Sequence, residues 1–254
     1  MLTEITSTQN DLVKFCVKLQ NSKFRKEQKL ILLDGNKTIE DIVKSGIEFE
    51  YIFLKKDNSL VNRIKAKNII LVNDEILKKI STTSSPTDVI GIIKEPTIDK
   101  NIFKNLKKIA LIDGIKDPGN LGTIIRSAVA FSIDGIILFN DCVDLYNSKT
   151  IRSTAQNMFK IPILATKDIN FIQELKKTHK LVSTVVDTNN DFFKTQFNEN
   201  FIVSFGSEAQ GLSKEIIDIS DEKVTISMDN NVESLNIAIC ASISFAYIKH
   251  GLKN

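Results

Sequence analysis

From residue 109 onward, short apolar runs alternate with helical stretches, and no other feature of the sequence limits the fold as strongly. The runs are Ile109–Ile112, Ile136–Phe139, Ile161–Leu164, Leu181–Val186, Phe201–Phe205 and Val224–Ser227. Helical spacing of apolar residues occupies Leu121–Phe131, Phe171–Lys177, a short stretch from Lys214, and Leu235–Tyr247. Helices alternating with strands that are apolar on both faces imply a parallel sheet covered on both sides. The expected fold class is therefore α/β, and no internal repeat at a solenoid period interrupts it.

The first hundred residues read as a smaller α/β module. Asp11–Gln20 carries Leu12, Phe15, Cys16 and Leu19 on one helical face. Strand-like runs at Leu30–Leu33, Tyr51–Leu54, Ile69–Val72 and Val89–Ile93 are interleaved with helical stretches at Lys37–Lys44, Leu60–Ala66 and Asp74–Ile80; Gly46 lies just beyond the first of these helices. Ser81–Pro86 is turn-rich, and Glu95-Pro96-Thr97 is the best linker, because proline forbids a continued central strand. At 254 residues the chain exceeds the usual domain of about 100–150 residues, so two domains are expected, 1–96 and 97–254. Residues 1–100 hold 17 Lys and Arg against 14 Asp and Glu, while residues 101–254 hold 17 of each. All of the net charge of +3 thus lies in the first part, the docking surface if the partner is a phosphate backbone.

Several classes are excluded. An apolar content of 42% is too high for a disordered chain. Cys16, Cys142 and Cys240 are far apart and form no Cys-x-x-Cys pair, which argues against disulfides or a structural zinc and for a reducing cytoplasm. No run approaches the roughly 18 apolar residues of a membrane span, and the first twenty residues lack the apolar stretch of a signal peptide. His179 and His250 read as surface histidines near helix ends.

In parallel α/β sheets, ligands gather at the carboxyl ends of strands. Three loops there carry chemistry-bearing residues. Asp117-Pro118-Gly119-Asn120-Leu121-Gly122 feeds a helix that holds Arg126, one of only four arginines against 30 lysines. Gly206-Ser207-Glu208-Ala209-Gln210-Gly211-Leu212-Ser213 has the glycine spacing of a phosphate loop, but Leu212 stands where the phosphate-gripping lysine is required, so a nucleoside triphosphatase is excluded. Asn230-Asn231-Val232-Glu233-Ser234-Leu235-Asn236 precedes the last helix. Each loop also admits a purely structural reading, with Asn120, Ser213 or Ser234 as the cap of the helix that follows.

Taken in order, Asn-x-Gly-x-x-x-Arg at 120–126, Gly-Ser-Glu-x-x-Gly-Leu at 206–212 and Ser-Leu-Asn at 234–236 resemble the three signature motifs of the SpoU (TrmH-type) RNA 2′-O-ribose methyltransferases of the SPOUT superfamily. Ile5-Thr6-Ser7 through Asn10, Val13-Lys14 and Arg25-Lys26 before Leu32-Leu33-Asp34-Gly35 are similar to the opening of that family's substrate-binding domain, with Asp34 where Glu is commoner. The resemblance implies a C-terminal SPOUT α/β domain with a parallel sheet and a deep trefoil knot, preceded by a smaller L30e-like α/β domain that grips RNA. It implies S-adenosyl-L-methionine as cofactor, no metal, and a cytoplasmic homodimer whose active site uses both subunits. Arg126 matches the catalytic arginine, with Asn120 shaping the site and Glu208 organising the second motif, by pairing with a cation such as Arg126. Gly206, Glu208, Gly211, Leu235 and Asn236 would line the cofactor cleft, and Ile226 would flank the adenine. A guanidinium is a poor base, so Arg126 is expected to position the RNA phosphate and stabilise a developing alkoxide. Two positions stand apart: Gln156 occupies a place usually held by glycine, and Arg152 is open to an RNA contact or a structural salt bridge. The added domain favours ribosomal RNA over transfer RNA as substrate. The alternative is an RNA-binding or ribosome-assembly protein on the same scaffold without efficient catalysis; retention of Arg126, Glu208 and Asn236 argues against it.

Overall fold

The computed structural model describes residues 2–60, 64–83, 87–155, 157–186, 188–197, 199–229, 231 and 234–251. The chain divides into two compact units, Met1–Thr97 with Tyr146–Arg152, and Ile98–Leu145 with Ser153–Asn254.

The first unit contains β1 (Leu2–Glu4), α1 (Asp11–Lys18), α2 (Ser22–Gln28), β2 (Leu30–Asp34), α3 (Asn36–Ser45), β3 (Phe49–Leu54), β4 (Ala66–Leu71), α4 (Asp74–Ile80) and β5 (Val89–Lys94). Its five strands form one mixed sheet in the order β1-β4-β3-β5-β2, parallel except where β5 runs against β3 and β2. One face is closed by Val13, Cys16 and Leu19 of α1 and by Ile76, Leu77 and Ile80 of α4 over Leu32, Phe53, Ile70, Ile90 and Ile92. Gly91 of β5 is a packing glycine: a Cβ there would fall 2.5 Å from the Phe49 ring and 2.7 Å from Ile39. Gly46 closes α3 in the left-handed region, φ 77°, as expected from its place after the last apolar turn. The helix expected at Leu60–Ala66 is absent where the structure describes that stretch: Ile64 and Lys65 have no regular structure and Ala66 opens β4. Residues 61–63 and 84–86 lie outside the described residues, the latter within the expected turn Ser81–Pro86.

The segment grouped with that unit holds α6 (Ser148–Ser153), and the second unit is otherwise built from β6 (Lys108–Asp113), α5 (Pro118–Ala130), β7 (Gly135–Phe139), β8 (Ile163–Thr166), α7 (Ile169–Leu175), β9 (Lys180–Thr184), β10 (Phe201–Gly206), α8 (Lys214–Ile219), β11 (Glu222–Val224) and α9 (Ile237–Gly251). Short 3₁₀ helices at Lys100–Asn105 and Phe192–Lys194 have no counterpart in the apolar pattern. Its six strands are all parallel, in the order β11-β9-β10-β6-β7-β8. Successive residues of a strand face opposite ways. Ala110 and Ile112 of β6 therefore meet α5 and α9 through Ile124, Ala128, Ala241 and Phe245, while Ile109 and Leu111 meet Phe171, Leu175 and Ile216 of α7 and α8. That two-sided burial is the physical cause of the uninterrupted apolar runs. His179, expected at the surface, is buried at 2% exposure. Its Nε2 donates to the Leu106 carbonyl at 2.6 Å, and its Nδ1 lies 2.9 Å from Thr178 Oγ1 and 3.1 Å from the Leu175 carbonyl oxygen, so it ties the end of α7 to the entry of β6.

Candidate active site

The parallel sheet delivers the carboxyl ends of β6, β10 and β11 to one edge, where the loops that follow them meet. The loop after β6 begins at Asp113, whose carboxylate is 3% exposed. Asp113 accepts from Asn140 Nδ2 at 2.8 Å and from the Ser213 backbone N–H at 2.7 Å, so one buried carboxylate fixes the loops after β7 and β10 together. Composition and spacing gave no signal for this residue.

Helix α5 starts earlier than its apolar pattern does. Asp117, not Asn120, is the cap: its Oδ1 accepts from the Asn120 N–H at 2.7 Å, and Pro118 occupies the first turn, where a missing N–H costs nothing. The Asn120 side chain is thereby released. It donates from Nδ2 to Glu208 Oε1 at 2.6 Å and accepts at Oδ1 from Asn236 Nδ2 at 3.1 Å. Asn236 Nδ2 also reaches Glu208 Oε1 at 3.3 Å. One residue from each of the three loops thus joins a closed hydrogen-bonded triangle.

At the head of α9 the cap is Asn236 instead of Ser234. Its Oδ1 accepts from the Ala238 and Ile239 N–H groups at 3.0 and 3.3 Å. Ser213 stands at the cap position of α8 with Glu215 in the first turn, yet its side chain makes no capping bond. Of the loop before α9, Asn230, Val232 and Glu233 lie outside the described residues, as does Gln156.

Beside the triangle lies a cleft of about 510 Å³. Gly206, Glu208, Gly211, Ile226 and Leu235 all line it; Asn236 does not, although its neighbours Leu235 and Ile237 do. The cleft wall also includes Val185, Val186, Met228 and Cys240, which the sequence reading did not single out. The signal for Val185 and Val186 was their place at the carboxyl end of the apolar run 181–186. The Gly206–Gly211 segment folds back on itself: Gly211 N–H donates to the Ser207 carbonyl at 2.8 Å, and Gly211 has φ +65°. A Cβ on Gly206 would fall 2.0 Å from the Gly211 carbonyl carbon and 2.1 Å from Leu212 N, so only glycine permits this approach. Burial pushes the Cys240 thiol up to about 11, which leaves it protonated at neutral pH, a wall of the cleft and not a nucleophile.

Arg126 is not part of the triangle. Six residues beyond Asn120, an ideal helix places it about 9 Å along the axis and roughly 120° around it. It is exposed, and among the described residues it forms no hydrogen bond or ion pair; in particular Glu208 is held by Asn120 and Asn236, not by Arg126. Next to it, Ser127 Oγ lies 2.6 Å from Ser242 Oγ, which joins α5 to α9. Arg152, on α6, is exposed and makes no ion pair among the described residues. Among the described residues no group of three or more His, Cys, Asp and Glu could hold a metal, and no helix is long and apolar enough to cross a membrane.

Over 251 residues the chain is 32% identical to an uncharacterized tRNA/rRNA methyltransferase of Synechocystis sp., covering 95% of this chain and 92% of that protein. It is 25% identical to the 23S rRNA (guanosine(2553)-2′-O)-methyltransferase RlmP of Bacillus subtilis, over 98% of this chain and 100% of the relative. The crystal structure of an AdoMet-bound rRNA methyltransferase from Sinorhizobium meliloti superimposes with a TM-score of 0.88 at 25% identity, covering 99% of this chain and 98% of that one. Residues 10–91 match the MRM3-like substrate binding domain. Residues 107–246 match the SpoU rRNA Methylase family, and the chain belongs to it.

Proposed function

We infer that this protein methylates a ribose 2′-hydroxyl of RNA, with S-adenosylmethionine as methyl donor and ribosomal RNA as substrate. The observation that carries the reading is the Asn120–Glu208–Asn236 triangle at the edge of the cleft, which unites all three motifs in one place. The relative from Bacillus subtilis is a 23S rRNA 2′-O-methyltransferase, which supports both the reaction and the substrate.

The cleft suits the cofactor. Its volume of about 510 Å³ falls in the range of small-molecule sites, roughly 300–1,000 Å³. Apolar groups such as Ile226 and Leu235 suit an adenine, the folded-back backbone of Gly206–Gly211 brings polar main-chain groups close, and the Glu208 carboxylate favours a cation. Gly206, Glu208, Gly211, Ile226 and Leu235 would hold S-adenosylmethionine there, with Asn236 fixing Glu208 from behind. When bound, the cofactor supplies an electrophilic methyl group on a sulfonium.

The remaining work falls to the chain. The chain would have to hold the ribose 2′-hydroxyl in line with that methyl group and let its proton pass to solvent water as the oxygen is methylated. Arg126, with the planar fork of a guanidinium, would orient the adjacent phosphate and stabilise the negative charge that develops on the 2′-oxygen. Asn120 would shape the same site through its fixed amide. The free guanidinium outside the triangle supports a site completed by a second subunit. Ile239 and Ile243, one turn apart on α9 and 53% and 37% exposed, offer an apolar stripe for such a homodimer. The same reading extends to a trefoil knot in 97–254, an L30e-like RNA-gripping domain in 1–96 and a cytoplasmic location. Replacement of Arg126 by alanine is the test: methyl transfer to ribosomal RNA should fall at least about 100-fold, with cofactor affinity by calorimetry within about twofold of the parent. Near-parental turnover would overturn the assignment.

A further inference from the structure

We propose that the corner formed by α1 and α2 is the surface that grips the phosphate backbone of the RNA, an inference that rests on the methyltransferase reading above and gives its substrate a place to dock. Residues 11–29 contain five lysines and Arg25 against Asp11 and Glu27, a net charge of +4. The whole chain carries +3, so everything outside this segment sums to −1. The net positive charge of the protein is thus concentrated in one corner.

The corner is built to present that charge. Lys14, Lys18, Lys23, Lys26 and Lys29 are all exposed. Two other lysines of the same unit are tied down: Lys55 lies 2.6 Å from Asp74 and 3.0 Å from Asp88, and Lys67 lies 2.7 Å from Glu50. Lys18, Lys23, Lys26 and Lys29 have no ion-pair partner among the described residues. Meanwhile Arg25, which is buried, donates from Nη1 to the carbonyls of Leu19 and Gln20 at 2.8 and 2.9 Å. Phe15 and Phe24 pack edge to face at 5.6 Å, and Gln20 Nε2 donates to the carbonyls of Ile80 and Ser81 at 2.9 and 3.2 Å. The turn is locked, so the lysines sit on a stiff base.

The chemistry of the partner follows from what the corner lacks. The apolar side of α1, Val13 and Cys16, together with Leu19, is consumed by the core, which leaves no apolar face to enter a lipid surface. What is offered is a row of point charges, suited to a polyanionic backbone contacted without reading its sequence. RNA supplies such a backbone.

The test uses the full chain carrying K18Q, K23Q, K26Q and K29Q together, with in-vitro-transcribed large-subunit ribosomal RNA as probe. Its RNA affinity near 0.1 M salt should fall at least about tenfold, and the slope of log affinity against log salt should shrink by about 3, four contacts at roughly 0.7–0.9 each. Cofactor binding should be unchanged, which shows that the chain is folded. A control with K44Q, K56Q, K65Q and K78Q removes the same charge elsewhere in the unit and should lose less than about threefold. Equal losses in both variants, or an unchanged slope in the first, would overturn the proposal. So would a first variant that keeps its RNA affinity and loses binding to anionic lipid vesicles. If the unsubstituted chain itself binds no RNA, the methyltransferase reading fails and the docking surface with it.

Discussion

Asn236 uses both ends of one amide. Its oxygen caps α9 and its nitrogen serves the triangle, so neither function can be kept if the side chain flips. Glu208 is the common acceptor for both asparagines, and its second neighbour in each case is a helix start. This makes Glu208 a positioning group for two helices as well as a wall of the cleft. Glu208→Ala should weaken cofactor binding about fivefold to tenfold, whereas Glu208→Gln, whose amide oxygen can still accept, should lose less. A double-mutant cycle with Asn120→Ala, read by calorimetric titration of S-adenosylmethionine, should give a coupling of roughly 0.5–1 kcal/mol, modest because Glu208 is exposed. The positions of Asn120, Glu208 and Asn236 were readable in the sequence because their loops follow apolar strands. Their partners were not. Asp117 and Asn120 are equally good cap residues by type, as are Ser234 and Asn236, and only the register of the first helical turn decides between them. The same ambiguity hid the absence of an Arg126–Glu208 pair.

The elements that were easy to read are those that bury both faces. The inner strands of the parallel sheet read as apolar runs because helices cover them on two sides, whereas the edge strand β11 is Glu-Lys-Val at Glu222–Val224 and the run expected at Val224–Ser227 shares only Val224 with it. Asp74–Ile80 matches to the residue because Asn73 caps it and its apolar stripe is complete. By contrast α2 (Ser-Lys-Phe-Arg-Lys-Glu-Gln) has no such stripe. Its helix rests on the Asn21 cap, Oδ1 accepting from Phe24 N–H at 3.2 Å, and on the buried Arg25 guanidinium, neither of which leaves a periodic signal. Leu60–Ala66 failed the other way. Leu60 and Ile64 are spaced for a helix, yet Ala66 pairs with Phe49 in the sheet and the chain must already be extended there. Two substitutions test what holds the site's own elements. Asp117→Ala should cost about 1 kcal/mol, a fall of roughly 2–4 °C in Tm by calorimetry, because the first turn of α5 loses its cap. Gly206→Ala should abolish cofactor binding and lower soluble yield, since the clash is with backbone that cannot step aside. Gly211→Ala meets nothing within 4 Å and should cost only the roughly 1–2 kcal/mol of its left-handed backbone, so comparing the two in thermal melts separates a steric requirement from a conformational one.

Arg126 stands exposed on α5, outside the hydrogen-bonded triangle of its own chain and next to the Ser127–Ser242 link to α9, the helix that carries exposed Ile239 and Ile243. If two copies pair through those two side chains, each supplies the arginine that the other's site lacks, and the sharing becomes measurable. Arg126→Ala and Gly206→Ala should each be inactive as homodimers, the second because it abolishes cofactor binding. Mixed in equal amounts with subunit exchange allowed, half of the dimers carry one of each, and in every such dimer one site has both defects and the other has neither. Methyl transfer should then recover to about a quarter of the parental rate. A site contained in one copy predicts no recovery, because each chain still carries its own defect. Ile239→Asp with Ile243→Asp supplies the companion measurement: sedimentation should show a monomer that retains cofactor binding and has lost methyl transfer, whereas a monomer with parental activity would place Arg126 in the site of its own chain.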